Sequence, residues 1–235
     1  MDNILISGGI YHDFEDSSAV LAQSFAPLGI RTRIFTEPDE ALEVLAAAPR
    51  CGMLTVNALR FSMVQDKKYA PFRARWAYTL SENGRRIISE FVRGGGALLG
   101  LHTASICFDE WPEWRAVLGA QWRWGTSFHP PAGPVRVEAI AADEPLTAGC
   151  RPFKVFDEVY HDLDLAPTAR ALLHARTAED REFHPVMWAH QYGRGRVIYD
   201  SLGHDMNSVN EPTHQMILAR AVAWLLGRDI KVARA

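Results

Sequence analysis

The sequence is poor in cysteine and lacks both a long apolar run and an excess of basic charge. Three cysteines among 235 residues are odd in number and scattered, which argues against a disulfide framework and fits a reducing cytoplasm. No apolar run reaches the roughly 18 residues of a membrane span. A formal net charge of −3 argues against a general nucleic-acid binder. The first residues enter a strand-like run without a basic segment, so we expect no signal peptide.

Common cofactor and metal motifs are also missing. There is no Walker A motif, and Gly8-Gly9 lacks the further glycine and the acidic partner of a dinucleotide site. No closely spaced His or Cys pair of the zinc-binding kind occurs. No organic cofactor is therefore evident, and a divalent metal such as zinc or manganese would have to be held by residues that are distant in the sequence.

The first half of the chain alternates short apolar runs with amphipathic segments. This order predicts an α/β fold whose strands are mostly parallel and connected by right-handed crossovers. The apolar run at 97–101 is typical of a central strand, and Asp39 is the predicted N-cap of the second helix. The expected strands are 3–7, 31–35, 51–56 and 97–101, and the expected helices are 16–28, 40–47 and 81–93.

The middle of the chain, about 105–167, breaks this rhythm. It contains seven prolines. It also has four tryptophans within fourteen positions, Trp111, Trp114, Trp122 and Trp124, which form either the core of an insertion or a sugar-binding cleft. We interpret it as an elaboration of the same core, with strand candidates at 135–140 and 154–160, so that 1–235 is a single domain. Closing strands are expected at 171–175, 186–190 and 196–201, and a last helix at 211–226.

Polar residues follow several predicted strands directly. In open α/β sheets, ligands bind beyond the carboxyl ends of the strands. His12 follows the first strand, Asn57 the third and His102 the central one, while His204 and Asp205 follow the last. Three histidines are therefore expected at one rim of the sheet.

The segment Gly100-Leu101-His102-Thr103-Ala104 has the pattern of a strand, a sharp turn and a helix. This is the geometry of a nucleophile elbow, in which the usual occupant is serine or cysteine. His102 instead fits a general acid or base, a metal ligand or a hydrogen-bond donor. Free backbone N–H groups at the turn would suit an oxyanion. Cys107 is expected beyond the turn, on the following helix.

Two further polar clusters lie in strand-like runs. Alternation in the segment 157–161 places Glu158 and Tyr160 on one face, opposite Asp157, Val159 and His161. A buried carboxylate near a rim of histidines is a candidate acid, base or ligand. In the segment 184–188, His184 and Trp188 share one face.

Taken together, these motifs resemble the ThuA-like (trehalose utilisation) family of the class I glutamine amidotransferase-like superfamily. The resemblance rests on the segments 7–14, 94–104, 122–129, 157–160, 184–188 and 193–205. It implies a flavodoxin-like sheet with a histidine at the amidotransferase nucleophile position. It also implies a role in carbohydrate catabolism, with a keto-sugar as a plausible substrate.

The leading hypothesis is a cytoplasmic enzyme acting on a sugar or 3-keto glycoside by acid/base chemistry next to a carbonyl. His102 and Glu158 are the expected catalytic pair. Any divalent cation is expected among His12, His102, His129, Glu158 and His204. The residues expected to bind substrate are His12, His129, Tyr160, His184, Trp188, His204 and Asp205.

Two alternatives stay open, a metal-dependent hydrolase and a non-catalytic sugar-binding or regulatory protein. A glutamine amidotransferase is excluded because the elbow lacks cysteine. The expected partner is a small sugar rather than nucleic acid or membrane, and a homodimer is compatible with folds of this kind.

Overall fold

The computed structural model describes residues 1–48, 51–141 and 143–230. Eleven strands and seven α-helices are assigned there. The strands are β1 (Asp2–Gly8), β2 (Arg31–Phe35), β3 (Cys51–Ala58), β4 (Ala97–Leu101), β5 (Ala120–Gln121), β6 (Gly133–Ala139), β7 (Phe153–Asp157), β8 (Asp164–Leu165), β9 (Arg170–Arg176), β10 (His184–Tyr192) and β11 (Gly195–Asp200). The helices are α1 (Phe14–Phe25), α2 (Pro38–Ala47), α3 (Arg73–Trp76), α4 (Glu82–Arg93), α5 (Trp114–Leu118), α6 (Met206–Val209) and α7 (Pro212–Leu225).

Nine strands form one sheet in the order β2-β1-β3-β4-β11-β10-β9-β6-β7. The first five are parallel to one another and have the strand order of flavodoxin-like folds. The remaining four extend the sheet in antiparallel pairs. The predicted flavodoxin-like α/β fold is therefore confirmed, and its strand order reverses between β1 and β3.

Helices cover both faces of the parallel half. Apolar residues of α1 and α7 pack on one face, and those of α2 and α4 pack on the other. All five residues of β4 are buried, as expected for a strand covered on both sides. No helix among the described residues is both long and apolar enough to cross a membrane.

Helix α2 begins earlier than the sequence analysis predicted. Its N-cap residue is Glu37, followed by Pro38 in the first turn, where the missing N–H of proline costs no hydrogen bond. The predicted cap Asp39 lies inside the helix and accepts a hydrogen bond from the hydroxyl of Tyr78 at 2.7 Å. By contrast, the Ser81 side chain caps α4 by accepting from the Gly84 N–H.

Strands β6 and β7 come from the predicted insertion and join the main sheet through β9. The tryptophans there divide between two environments. Trp111 and Trp114 stack in the core, whereas Trp122 and Trp124 are only partly buried. The core interpretation therefore holds for Trp111 and Trp114, while a role of Trp122 and Trp124 in binding a sugar stays a prediction.

Candidate functional site

Four side chains converge where the carboxyl ends of several strands meet. They are His12 after β1, His102 after β4, Glu158 after β7 and His204 after β11, and we call them the histidine–glutamate cluster. One potential ligand atom from each lies within 4.8 Å of those from the other three. The cluster lies beyond the carboxyl ends of the parallel strands, the edge of the sheet where open α/β folds bind ligands.

The turn at His102 is sharp and strained. Its φ of +43° is a left-handed conformation that a residue with a Cβ rarely adopts. The backbone packs closely here, since a Cβ on Gly100 would lie 2.5 Å from Leu118 Cδ1. The predicted helix after the turn is a single 3₁₀ turn, His102–Ser105, because Thr103 and its neighbours pack against β3 rather than continuing as an α-helix.

Cys107 lies beyond the turn and is fully buried. Its thiol is 3.1 Å from the carbonyl oxygen of Ala58, and burial raises its pKa to about 12. A thiol in this state is not a nucleophile at neutral pH.

The rings of His12 and His102 face each other through Nε2 atoms 3.0 Å apart. His12 Nδ1 lies 3.0 Å from the carbonyl oxygen of Ile10, and His102 Nδ1 lies 2.6 Å from that of Ser201. A carbonyl oxygen only accepts, so each Nδ1 carries a hydrogen and each neutral ring presents a lone pair at Nε2. Two facing lone pairs repel unless a proton or a cation lies between them.

Electrostatics keep His12 neutral. Burial and the neighbouring His102 lower the pKa of His12 to about 3. In Glu158, burial by itself would raise the carboxyl pKa, but the neighbouring imidazoles of His102 and His204 outweigh it and lower the pKa well below its usual range. The same contact with Glu158 raises the pKa of His204.

Glu158 is the centre of the cluster. Its carboxylate oxygens lie 3.6 Å from His102 Nε2, 3.4 Å from His204 Nδ1 and 3.4 Å from His129 Nδ1. The Tyr160 hydroxyl lies within hydrogen-bond distance of His102 Nε2, at 3.2 Å. Glu158 and Tyr160 therefore approach the same side of the chain, as alternation predicted.

The predicted strand 154–160 ends sooner, at Asp157. The reason is that the Asp157 carboxylate turns inward and accepts hydrogen bonds from the backbone N–H groups of Gly203 and His204, at 2.8 and 3.3 Å. Asp157 thereby holds the loop that carries His204. Sequence analysis gave Asp157 no such role.

A cavity of about 360 Å³ opens beside the cluster. His129 and Glu158 are among its polar lining residues, and the ring of Tyr160 contacts those of both His129 and Trp122. Other lining residues, among them Phe61, Lys68 and Tyr69, could not be singled out from the sequence, because they lie in the mixed polar segment 57–77, which has no periodicity. The aromatic lining residues are Tyr11, Phe61, Tyr69, Trp122, Trp124 and Tyr160.

Three predicted substrate-binding residues lie elsewhere. Trp188 is fully buried and stacks on Tyr199 at 4.4 Å, because its strand faces α5 and the core at that position. His184 stacks on His161 at 3.8 Å, away from the cavity lining. Asp205 caps α6 by accepting hydrogen bonds from backbone N–H groups of that helix, although it lies next to His204.

The fold and the site together define a flavodoxin-like α/β protein with a histidine at its elbow. A family model for ThuA, described as trehalose utilisation, matches residues 67–225. Because this match covers more than half of the chain, the protein belongs to the ThuA family. No curated protein matches the sequence significantly.

Solved structures show the same fold at low sequence identity. A ThuA-like protein from Parabacteroides merdae has a TM-score of 0.74 at 16% identity, covering 99% of this chain and 92% of its own. One from Bacteroides uniformis has a TM-score of 0.69 at 18% identity, covering 97% and 92%. A cytoplasmic protein from Salmonella typhimurium LT2 has a TM-score of 0.63 at 12% identity, covering 96% and 99%.

Proposed function

We propose that the protein is a cytoplasmic enzyme that binds a sugar or a 3-keto glycoside in this cavity and moves protons next to the carbonyl. Its trehalose-utilisation family supports a carbohydrate substrate. The observation that carries the proposal is that the histidine–glutamate cluster converges beside the aromatic residues lining the cavity, which we call the aromatic wall. Aromatic rings pack against the apolar C–H faces of sugars, while polar groups bind the hydroxyls.

The proposed catalytic pair is His102 and Glu158. Glu158 lines the cavity and, as a carboxylate, accepts the proton from the carbon next to the carbonyl. The C–H electron pair moves to the carbonyl oxygen, and His204 stabilises that oxygen by donating a hydrogen bond. Because the pKa of Glu158 is low, the proton passes to His102 Nε2, which lies 3.6 Å away.

The remaining residues orient the pair and the substrate. The hydroxyl of Tyr160 and the carbonyl oxygen of Ser201 fix the ring of His102 from its two nitrogens. His129, about one-third exposed at the cavity, binds substrate hydroxyls. If the proton returns to the neighbouring carbon, the reaction is an isomerisation. If a leaving group departs from the carbon next to the deprotonated one, the reaction is an elimination or a glycoside cleavage.

A metal-dependent hydrolase is the second candidate, and the facing lone pairs of His12 and His102 favour it. Three imidazoles and a carboxylate are a donor set that suits zinc or manganese. Within the described part of the chain, His204 Nδ1 is buried without a hydrogen-bond partner, which fits the position of a metal ligand. A bound cation would supply Lewis-acid activation of a carbonyl or of a water molecule.

Deuterium exchange tests the proton-transfer proposal directly. Incubation of 3-keto glycosides with the enzyme in D₂O, followed by NMR, is expected to show deuterium at the carbon next to the carbonyl. His102→Ala is expected to reduce that exchange by about 10²-fold or more. The matched control is His174→Ala, since His174 stacks on Phe183 away from the cavity.

The opposite result is equally informative. Undiminished exchange in His102→Ala would refute the assignment of the pair. Sugar binding that survives in this variant, with no turnover by the wild type, would indicate a non-catalytic binding protein.

A further inference from the structure

A second group of ligand-type side chains lies outside the cavity lining. It consists of His161, which follows the segment with Glu158, Asp180 in the connection between β9 and β10, and His184 at the start of β10. None of the three is among the described residues that line the cavity. The proposed sugar chemistry leaves all three unexplained.

The three side chains are close enough to share one ion. One potential ligand atom from each lies within 4.8 Å of the other two. His161 Nε2 is 3.5 Å from Asp180 Oδ1, and the rings of His161 and His184 stack with centroids 3.8 Å apart. Phe128 packs against the ring of His161 and forms a bridge to its backbone, so the ring is held in place.

His161 Nε2 is buried and has no hydrogen-bond partner among the residues that the structure describes. The 3.5 Å separation from Asp180 is too long for a good hydrogen bond. It matches the edge of a tetrahedral metal site, since bonds of about 2.0–2.1 Å place the ligand atoms about 3.3–3.4 Å apart. The 3.5 Å distance between His161 and Asp180, which is too long for a good direct hydrogen bond, therefore suits two ligands of the same cation.

Asp180 is held in an orientation that suits a ligand. Its Oδ2 accepts hydrogen bonds from the backbone N–H and the hydroxyl of Thr177, at 2.8 and 2.9 Å. The other oxygen, Oδ1, faces His161. Hydrogen bonds of this kind orient the carboxylates that bind metals in proteins.

We propose that His161, Asp180 and His184 form a second site, which binds a divalent transition-metal ion such as zinc. Two imidazoles and one carboxylate leave a fourth position open for water or another ligand. Because His161 lies three residues after Glu158, the ion fastens the β9–β10 connection to the segment that carries Glu158 and Tyr160. This site is independent of the proposed sugar chemistry.

Cobalt titration of untagged, metal-free protein tests the site, because Co²⁺ reports four-coordinate binding by visible absorption. Asp180→Asn and His184→Phe are expected to weaken Co²⁺ binding at this site at least tenfold. His184→Phe keeps an aromatic ring against His161. The control His174→Ala changes a neighbouring stacked histidine and is expected to leave binding unchanged.

The double variant His12→Ala/His204→Ala removes two ligands of the histidine–glutamate cluster, so that this cluster no longer contributes to the number of Co²⁺ ions bound per chain. In that background we expect about one Co²⁺ per chain, and adding Asp180→Asn should abolish it. In the otherwise unsubstituted chain, Asp180→Asn should lower the Co²⁺ count by one and remove part of the rise in Tm with Co²⁺. Co²⁺ binding and Tm shifts that do not change with Asp180→Asn or His184→Phe would overturn the second site and leave the proposed enzymatic function untouched.

Discussion

The hydroxyl of Tyr199 donates a hydrogen bond to the carbonyl oxygen of His102. That carbonyl belongs to the strained turn with a φ of +43°, and the same hydroxyl lies 2.9 Å from Ser105 Oγ. Trp188 stacks on the Tyr199 ring from the core side. The turn at His102 is therefore supported on its core side by two buried aromatic residues, Trp188 on β10 and Tyr199 on β11.

Tyr199→Phe should destabilise the protein by about 1–2 kcal/mol, because it leaves the buried carbonyl of His102 without this donor. We also expect turnover to fall, since the turn that aims His102 loses its support. Urea unfolding and keto-glycoside kinetics measure the two effects. Unchanged stability would show that the hydrogen bond does not hold the turn.

The two tryptophan pairs should respond differently to substitution. Trp111→Ala removes a core residue and should cost about 3–5 kcal/mol of unfolding free energy. Trp122→Ala changes the cavity wall and should raise KM roughly tenfold, equivalent to about 1.4 kcal/mol of binding, with little loss of stability. Parallel Tm and KM measurements on both variants check this contrast. A wild-type KM in Trp122→Ala would remove the aromatic wall from the sugar site.

Glu158→Gln tests whether the histidine–glutamate cluster holds a metal. The substitution keeps the shape of the side chain but removes its charge, so a resident divalent ion should bind at least tenfold more weakly. Elemental analysis of protein purified without chelator or metal-binding tag gives the stoichiometry, and Asp180→Asn allows the contribution of the second site to be subtracted. A cluster that carries no metal in the wild type would favour the acid/base pair His102 and Glu158.

His214 and Asp200 form a buried pair that predicts how stability changes with pH. Their side chains contact at 2.8 Å and are almost fully buried. Burial by itself would lower the pKa of His214, but the Asp200 carboxylate outweighs it and raises that pKa to about 9. The folded pKa therefore lies above the value of 6.5 for an ordinary histidine.

The raised pKa of His214 sets the direction in which stability changes with pH. The stabilisation is fully present below pH 6.5 and is lost as the pH rises through about 9. Its size is on the order of 3 kcal/mol, from the difference between the two pKa values. Urea unfolding at pH 6 and pH 9.5 should reveal the loss, and His214→Gln should flatten it. If stability depended equally on pH in the wild type and in His214→Gln, a group other than His214 would be responsible.

Periodic sequence features predicted much of the fold. The strands at 97–101 and 31–35 match the structure residue for residue. The first is a run of apolar residues between Gly96 and His102, a pattern that fits a single buried strand. Helix boundaries were less accurate, as Glu37 and Pro38 show. Caps and first turns depend on local backbone geometry that periodicity does not record.

The candidate site was predictable only in part. His12, His102 and His204 could be singled out because the carboxyl ends of the strands in an α/β sheet share one rim, and Glu158 because of its place in the polar segment 157–161. Trp188 and His184 were placed wrongly as cavity residues, because alternation gives a shared face but not which layer packs on that face. Lys68 and Tyr69 lie in a segment without any pattern.

The sequence by itself therefore determined the family, the order of the elements and the histidine at the elbow, all of which are encoded in local patterns and motifs. Only the tertiary structure decided that His12 and His102 meet through their Nε2 atoms, and that His161 and Asp180 form a second group. These contacts join residues far apart in the chain. Their distances depend on how the packed sheet and its loops place each side chain, and no local pattern specifies that placement.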